Sequence, residues 1–228
     1  MAAASYAPMP LRIDFVSDVV CPWCAIGLAA LEQALARIGD EVRVEIHFQP
    51  FELNPQMPAE GEGIGEHLQE KYGLSEAQLA DNQARIRERG AELGVVFDMD
   101  ARSRIWNTFD AHRLLHWAGI EGKQRALKHA LLRGYFGEGR NVSDRDTLVS
   151  IAAAAGLDAE RARDLLASDE FAADVREAEQ FFLRNGINGV PAVIIDRKHL
   201  ISGGQPLEVF ERALREIAEA KRQAVATA

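Results

Sequence analysis

Residues 11–16, Leu-Arg-Ile-Asp-Phe-Val, alternate apolar and polar side chains, the period of a strand buried on one face. From 23 to 38 the period becomes helical, with Ile26, Leu28, Leu31, Leu35 and Ile38 apolar. Pro22 suits the first turn of that helix, where the missing N–H has no intrahelical partner to lose. Gly39 is a good stop. Residues 42–48 alternate again. A strand, a helix and a strand in this order predict a parallel crossover.

The chain then changes character. Pro55, Pro58, Gly61, Gly63 and Gly65 crowd a segment that reads as a connection. Helical patterns follow over 66–72, 76–93, 103–118, 121–136, 144–155, 159–167 and 170–185. Ser75 with Gln78 forms a capping-box pattern, Ser143 is placed to cap the 144–155 helix with Gly156 ending it, and Asp158 caps the next. The apolar run 192–195 predicts a buried strand. Residues 196–198 turn the chain, 199–201 pair back, and Gly203-Gly204 breaks the hairpin. Pro206 opens a last helix with Leu207, Phe210, Leu214 and Ile217 on one face. No fixed-period repeat is visible. The plan is an α/β unit with an all-helical block inserted into it.

Composition narrows the classes. The 228 residues are 47% apolar and 27% charged, an ordinary globular balance. The net charge is −9, and no segment is net basic, which argues against nucleic acid as a partner. No run approaches the roughly 18 apolar residues of a membrane span. The opening residues have neither a basic nor an apolar segment of the kind that directs export. The expectation is therefore a cytoplasmic protein, where thiols are kept reduced.

Cys21 and Cys24 are the two cysteines, too few for a disulfide scaffold. They stand in Cys21-Pro22-Trp23-Cys24, between the first strand and its helix. A C-x-x-C there lets both sulfurs meet within one helical turn. Cys21 faces the unpaired N–H groups and positive end of the helix, which favour its thiolate. Cys21 reads as nucleophile and Cys24, one turn in, as resolving thiol. A buried structural pair does not account for this placement. A zinc site needs two further ligands, and His47, His67, His112, His116, His129 and His199 are scattered. Gly189-Val190-Pro191-Ala192 is the second signal. Beside a C-x-x-C in a strand–helix–strand unit it predicts a cis Val190–Pro191 bond facing the sulfurs, with the Val190 backbone free to pair with a substrate.

His112 and His116 stand four apart on one helix, a zinc-compatible spacing that lacks a third ligand and reads as a surface or interface pair. Gly61-Glu-Gly-Ile-Gly65 lacks the spacing and the preceding strand of a dinucleotide loop. Asn141-Val-Ser143 fits a glycosylation sequon but reads as a helix cap. Trp106, Trp117, Phe181 and Phe182 read as core.

The segments Asp18-Val-Val-Cys-Pro-Trp-Cys24, Asn107-Thr-Phe-Asp-Ala-His-Arg-Leu114, Tyr135-Phe-Gly-Glu-Gly-Arg-Asn-Val-Ser-Asp144, Gly186-Ile-Asn-Gly-Val-Pro191 and Ile201-Ser-Gly-Gly-Gln-Pro206 together resemble the DsbA-like branch of the thioredoxin superfamily, most closely its FrnE-type members. The resemblance spans nearly the whole chain. It implies a thioredoxin-like fold, residues 1–60 plus 170–228, split by an inserted helical domain, 61–169, and it implies dithiol–disulfide exchange. Carried over, Cys21 is the nucleophile and Cys24 the resolving cysteine. Pro22, Trp23, Val190 and Pro191 border the substrate, and Asn107 to His112 form a helical wall above it. No cofactor is implied, with glutathione open as a redox partner. The partners are protein or small-molecule thiols and disulfides, and a homodimer is compatible with the sequence. Trp23 replaces the His that periplasmic members carry between their cysteines, and Asp18 would oppose a nearby thiolate. The Cys21 pKa is thus expected below the roughly 8.5 of free cysteine, short of the family's low extreme. Two rival functions are a glutathione-linked isomerase or transferase of the 2-hydroxychromene-2-carboxylate isomerase and kappa type, which typically has Ser where Cys21 stands, and a non-catalytic binding or chaperone module indifferent to loss of Cys21.

Overall fold

The computed structural model describes residues 8–227, so the segment before residue 8, on which part of the export reading rested, lies outside the described residues. In chain order, β1 (Met9–Ser17), α1 (Pro22–Ile38) and β2 (Val42–Pro50) are followed by the two-residue strand β3 (Glu62–Gly63), α2 (Ile64–Tyr72), α3 (Glu76–Glu92) and the two-residue strand β4 (Arg104–Ile105). Then come α4 (Phe109–Ile120), α5 (Gln124–Glu138), α6 (Arg145–Ala154), α7 (Ala159–Ala167), α8 (Ala172–Arg184), β5 (Ala192–Ile195), β6 (His199–Ser202) and α9 (Leu207–Ala226).

The main sheet has the order β2-β1-β5-β6. β1 and β2 are parallel, with Ile13 opposite Ile46 and Phe15 opposite Phe48. β5 and β6 are added antiparallel beyond β1. Alternation along β1 assigns its two faces. Leu11, Ile13 and Phe15 enter the large core with α1 and α9, where Ile26, Leu28, Leu31, Phe210 and Leu214 are buried. Val16 instead joins Phe51, Phe182, Ile187 and Ala192 in a small second core beneath α8. β2 is an edge strand, and unpaired edges invite misassociation. Here the Gln124 side chain covers it: its Oε1 accepts from Phe48 N (2.9 Å) and its Nε2 donates to Phe48 O (3.0 Å).

Several expectations are corrected. The helix expected over 103–118 starts at Phe109, because Arg104 and Ile105 pair with Gly63 and Glu62. The glycine-rich connection thus contains a strand. Gly61 is required there: its φ is +63°, and a Cβ would lie 2.4 Å from Ile105 O. Such pairing is set by distant backbone, which local periodicity does not report. The next helix begins at 124 rather than 121, after Gly122 turns with φ +68°. Asp144, not Ser143, caps α6, accepting from Thr147 N at 2.8 Å. Ser143 donates its N–H to Asn141 Oδ1 instead. Phe181 is exposed rather than core. The capping box of Ser75 and Gln78 and the Asp158 cap are present.

Candidate active site

Cys21 follows β1 directly and is the N-cap of α1. Its carbonyl accepts from Cys24 N and Ala25 N, closing the first turn. Pro22 supplies no N–H and needs none there. Both thiols are free and buried, with Cys21 4% and Cys24 0% exposed. The sheet register brings the second signal to the same place. Because β5 runs antiparallel to β1 with Ala192 opposite Val16, the residue before β5 lies where β1 ends. That residue is Pro191, and the Val190–Pro191 bond is cis. The Cys21 thiol points at Val190 O, 3.8 Å away. Gly203 N donates to Pro191 O at 2.8 Å, tying the hairpin end to the loop. Two glycines let the parts close. A Cβ on Gly27 would meet Pro191 Cγ at 3.1 Å, and one on Gly204 would meet Trp23 O at 2.9 Å.

The two thiols are electrostatically distinct. The Cys24 thiol donates to the Cys21 sulfur and is the main reason that the Cys21 pKa is lowered; burial and the Asp18 charge work against it, while the Cys24 and Trp23 N–H groups assist. Burial pushes the Cys24 thiol well above its ordinary value, and donating to Cys21 adds to this. The first turn of α1 thus separates a thiolate-prone sulfur from a proton-holding one.

Asp18 lies beneath the pair, fully buried. It accepts from Val19 N (2.7 Å) and Leu53 N (2.8 Å), and faces His112 Nε2 at 3.4 Å. Burial opposes its charge, but the His112 and backbone hydrogen bonds prevail and hold its carboxyl below the ordinary value. His112 is 2% exposed. The surface or interface reading of the His112/His116 pair is therefore corrected: α4 turns His112 inward onto Asp18, while His116 tilts against the Phe171 ring with centroids 4.9 Å apart. Asn107 lies at the start of α4 with both ends of its amide engaged, Nδ2 to Met57 O and Oδ1 from Phe109 N. Pro22, Trp23 and Val190 are half-buried at the rim, and Pro191 is buried. A cavity of about 410 Å³ opens beside Val190 and Pro191, lined also by Gly186, Asn188, Leu200 and Ser202.

Two features escaped the sequence. Lys128 on α5 is fully buried; burial lowers its amine pKa, and the charges of Cys24, Asp18 and Cys21 oppose that. The signal was available, since it interrupts an apolar stripe with Leu131 and Tyr135. Glu52 and Glu179 share Arg176, both carboxylates buried. Nothing local to residues 52, 176 and 179 announces that convergence.

A free thiol pair at a helix start, facing a cis-proline loop on a β2-β1-β5-β6 sheet, defines a thiol–disulfide oxidoreductase of the thioredoxin type. Residues 12–215 match the family described as the DSBA-like thioredoxin domain, and the chain belongs to it. Among solved structures, a probable DsbA oxidoreductase from Streptomyces coelicolor superposes with a TM-score of 0.86 at 37% identity, covering 92% of this chain and 90% of that one. The cytosolic disulfide reductase DsbM from Pseudomonas aeruginosa, solved with GSH, gives a TM-score of 0.63 at 18% identity over 91% of this chain and 99% of its own, a likeness of fold. The uncharacterized Bacillus subtilis protein YwbO is 28% identical over 207 residues, 90% of this chain and 96% of that protein.

Proposed function

We propose that this oxidoreductase exchanges disulfides through Cys21 and Cys24, with Cys21 as the attacking sulfur and Cys24 as the resolving one. The observation that carries this reading is the thiol pair itself: Cys21 Sγ faces Val190 O at 3.8 Å, and the Cys24 thiol stands behind it as hydrogen-bond donor. A thiolate on Cys21 attacks a substrate disulfide, forming a mixed disulfide and releasing one substrate thiolate. Cys24 then attacks Cys21, forming the Cys21–Cys24 bond and releasing the second substrate sulfur. The reverse sequence oxidises a substrate dithiol. Pro22, Trp23, Val190 and Pro191 border the approach, and the exposed backbone beside Pro191 offers a substrate chain hydrogen bonds. His112 and Asn107 act from behind, His112 through Asp18 and Asn107 by holding the start of α4.

The substrates are protein thiols and disulfides or a small thiol such as glutathione. The cytosolic reductase from Pseudomonas, solved with GSH, favours the small thiol and a cytoplasmic setting. Among the described residues no helix is long and apolar enough to cross a membrane. The strands of the main sheet come from 1–60 and 170–228, which supports one discontinuous thioredoxin-like unit with 61–169 inserted. Retention of Cys at both 21 and 24 favours redox exchange over isomerase or transferase chemistry, which has no use for a resolving thiol.

The test is redox equilibration of the pair against glutathione, with insulin reduction by Cys21→Ser and Cys24→Ser. Loss of activity in Cys21→Ser, with a mixed disulfide accumulating in Cys24→Ser, is expected. Full activity in Cys21→Ser would reject the mechanism in favour of a binding module.

A further inference from the structure

The face of the main sheet beneath α8 is only partly covered. Side chains two residues apart along a strand share a face. One row on this face therefore holds Val16 and Ala192, and the next holds Asp14, Ile194 and Leu200, which oppose one another across β1, β5 and β6. Phe182 and Ile187 close over the first row. The second row is the floor of a groove of about 670 Å³, lined by α8 on one side and by the β5–β6 turn on the other. Leu200 on the floor is 52% exposed, and Phe181 on the α8 wall is 53% exposed. Large apolar side chains gathered at one open groove mark a contact surface, as singly scattered ones do not.

The two walls carry opposite charges. Asp174 and Glu177 line the groove from α8, and Arg197 and Lys198 line it from the turn. All four are exposed. The ion pairs of these two elements are made by other residues, Arg176 with Glu52 and Glu179, and Asp196 with Lys221. None of the four joins one among the described residues. Arg12 on the floor is already neutralised by Asp14 at 2.6 Å. Arg197 is held at φ +58°, the left-handed region that disfavours its side chain. Asp196 before it, at φ +50°, is anchored by Arg12 N and Lys221 Nζ. Strain kept at an exposed residue marks a segment with a function.

A groove with one acidic and one basic wall suits neither a simple anion nor a simple cation. It suits a surface that carries the same two charges in reverse order. A twofold rotation of this chain supplies that surface, because in an isologous contact residue i meets j while j meets i. We propose that the groove is the interface of a twofold homodimer, with α8 of one copy against the β5–β6 turn of the other. Phe181 and Leu200 of the two copies cover one another. Asp174 and Glu177 face Arg197 and Lys198 twice over. Burial of the apolar side chains supplies the attraction, and the exposed charge pairs, weak singly, set the orientation. The surface is independent of the dithiol chemistry.

The test is sedimentation equilibrium of the full chain at micromolar concentrations. A species of twice the 25.1 kDa of one chain is expected. Two variants reverse one wall each: Asp174→Lys with Glu177→Lys, and Arg197→Asp with Lys198→Glu, where Asp tolerates the left-handed backbone. Each variant alone should run as a monomer, since like charges then meet at both contacts. An equimolar mixture of the two should dimerise again, because every contact in the mixed pair joins opposite charges. Phe181→Gln should raise the dimer dissociation constant by about tenfold, the scale of an interface anchor. Circular dichroism checks that the variants, all at exposed positions, keep the fold. A parent chain that stays monomeric overturns the proposal. So does a dimer that persists in both reversed variants, and so does a mixture that fails to pair.

Discussion

The Asp18 carboxylate and the His112 ring face each other across 3.4 Å with side chains 1% and 2% exposed. Asp18 belongs to the loop that delivers Cys21, and His112 to α4, so this contact joins the inserted helices to the thiol pair. Removing the ring leaves the buried carboxylate short of a donor, at about 1–3 kcal/mol. His112→Ala should lose stability on that scale in chemical denaturation. Asp18→Asn removes the charge that opposes the Cys21 thiolate, so the pH midpoint of Cys21 alkylation should fall even as the protein becomes less stable. An unmoved midpoint would show that the charge does not reach the sulfur.

The Cys24 hydrogen bond is the largest influence lowering the Cys21 pKa. Cys24→Ala should therefore raise the alkylation midpoint of Cys21 toward the roughly 8.5 of free cysteine. In Cys21→Ala, the remaining Cys24 should resist alkylation at neutral pH in the folded protein and react once it unfolds. Mass spectrometry after pulsed alkylation reads both.

Gly204 sits where a Cβ would lie 2.9 Å from the backbone oxygen of Trp23. A helix carbonyl cannot swing aside as a side chain can. Gly204→Ala should push the hairpin end away from the first turn of α1, with a stability loss of about 1–3 kcal/mol from overpacking and slower disulfide exchange. Gly189 has open space around its Cβ position, so Gly189→Ala serves as the control for stability. Equal effects of the two substitutions would contradict the contact.

Glu52 has a pKa pushed up to about 8, first by burial and second by the charge of Glu179, with Arg176 pulling the other way. The unfolded value is near the ordinary 4.5. Between those values the folded chain holds a proton that the unfolded chain has released, so this group's contribution to stability falls as pH rises from about 4.5 to about 8 and is level above that range. Denaturant melts across that range should show the decline, and Glu52→Gln should flatten it. A slope unaltered by the substitution would place the titration elsewhere.

The alternation in 11–16 and 42–48, the helical spacing of 23–38 and the apolar run 192–195 are legible because burial of one face imposes a local period. The C-x-x-C was legible for a similar reason: both sulfurs lie within one turn of a helix whose start is marked by Pro22. The short β3–β4 pairing was not, since two-residue strands leave no period and their hydrogen bonds join residues about 40 apart in the chain. The inward turn of His112 is not legible, because a histidine on a helix carries no mark of which way it faces; the packing of α4 beside the Asp18 loop decides that.

The chain by itself determines the order of elements and the identity of the two thiols, because both follow from neighbours in sequence. Only the tertiary structure decides what surrounds them. The antiparallel register of β5 carries the Val190–Pro191 loop to Cys21, α4 brings His112 to Asp18, and α5 buries Lys128. Each is a long-range contact whose energy comes from excluding water from groups that are remote in the chain, and no period along the chain sets its geometry.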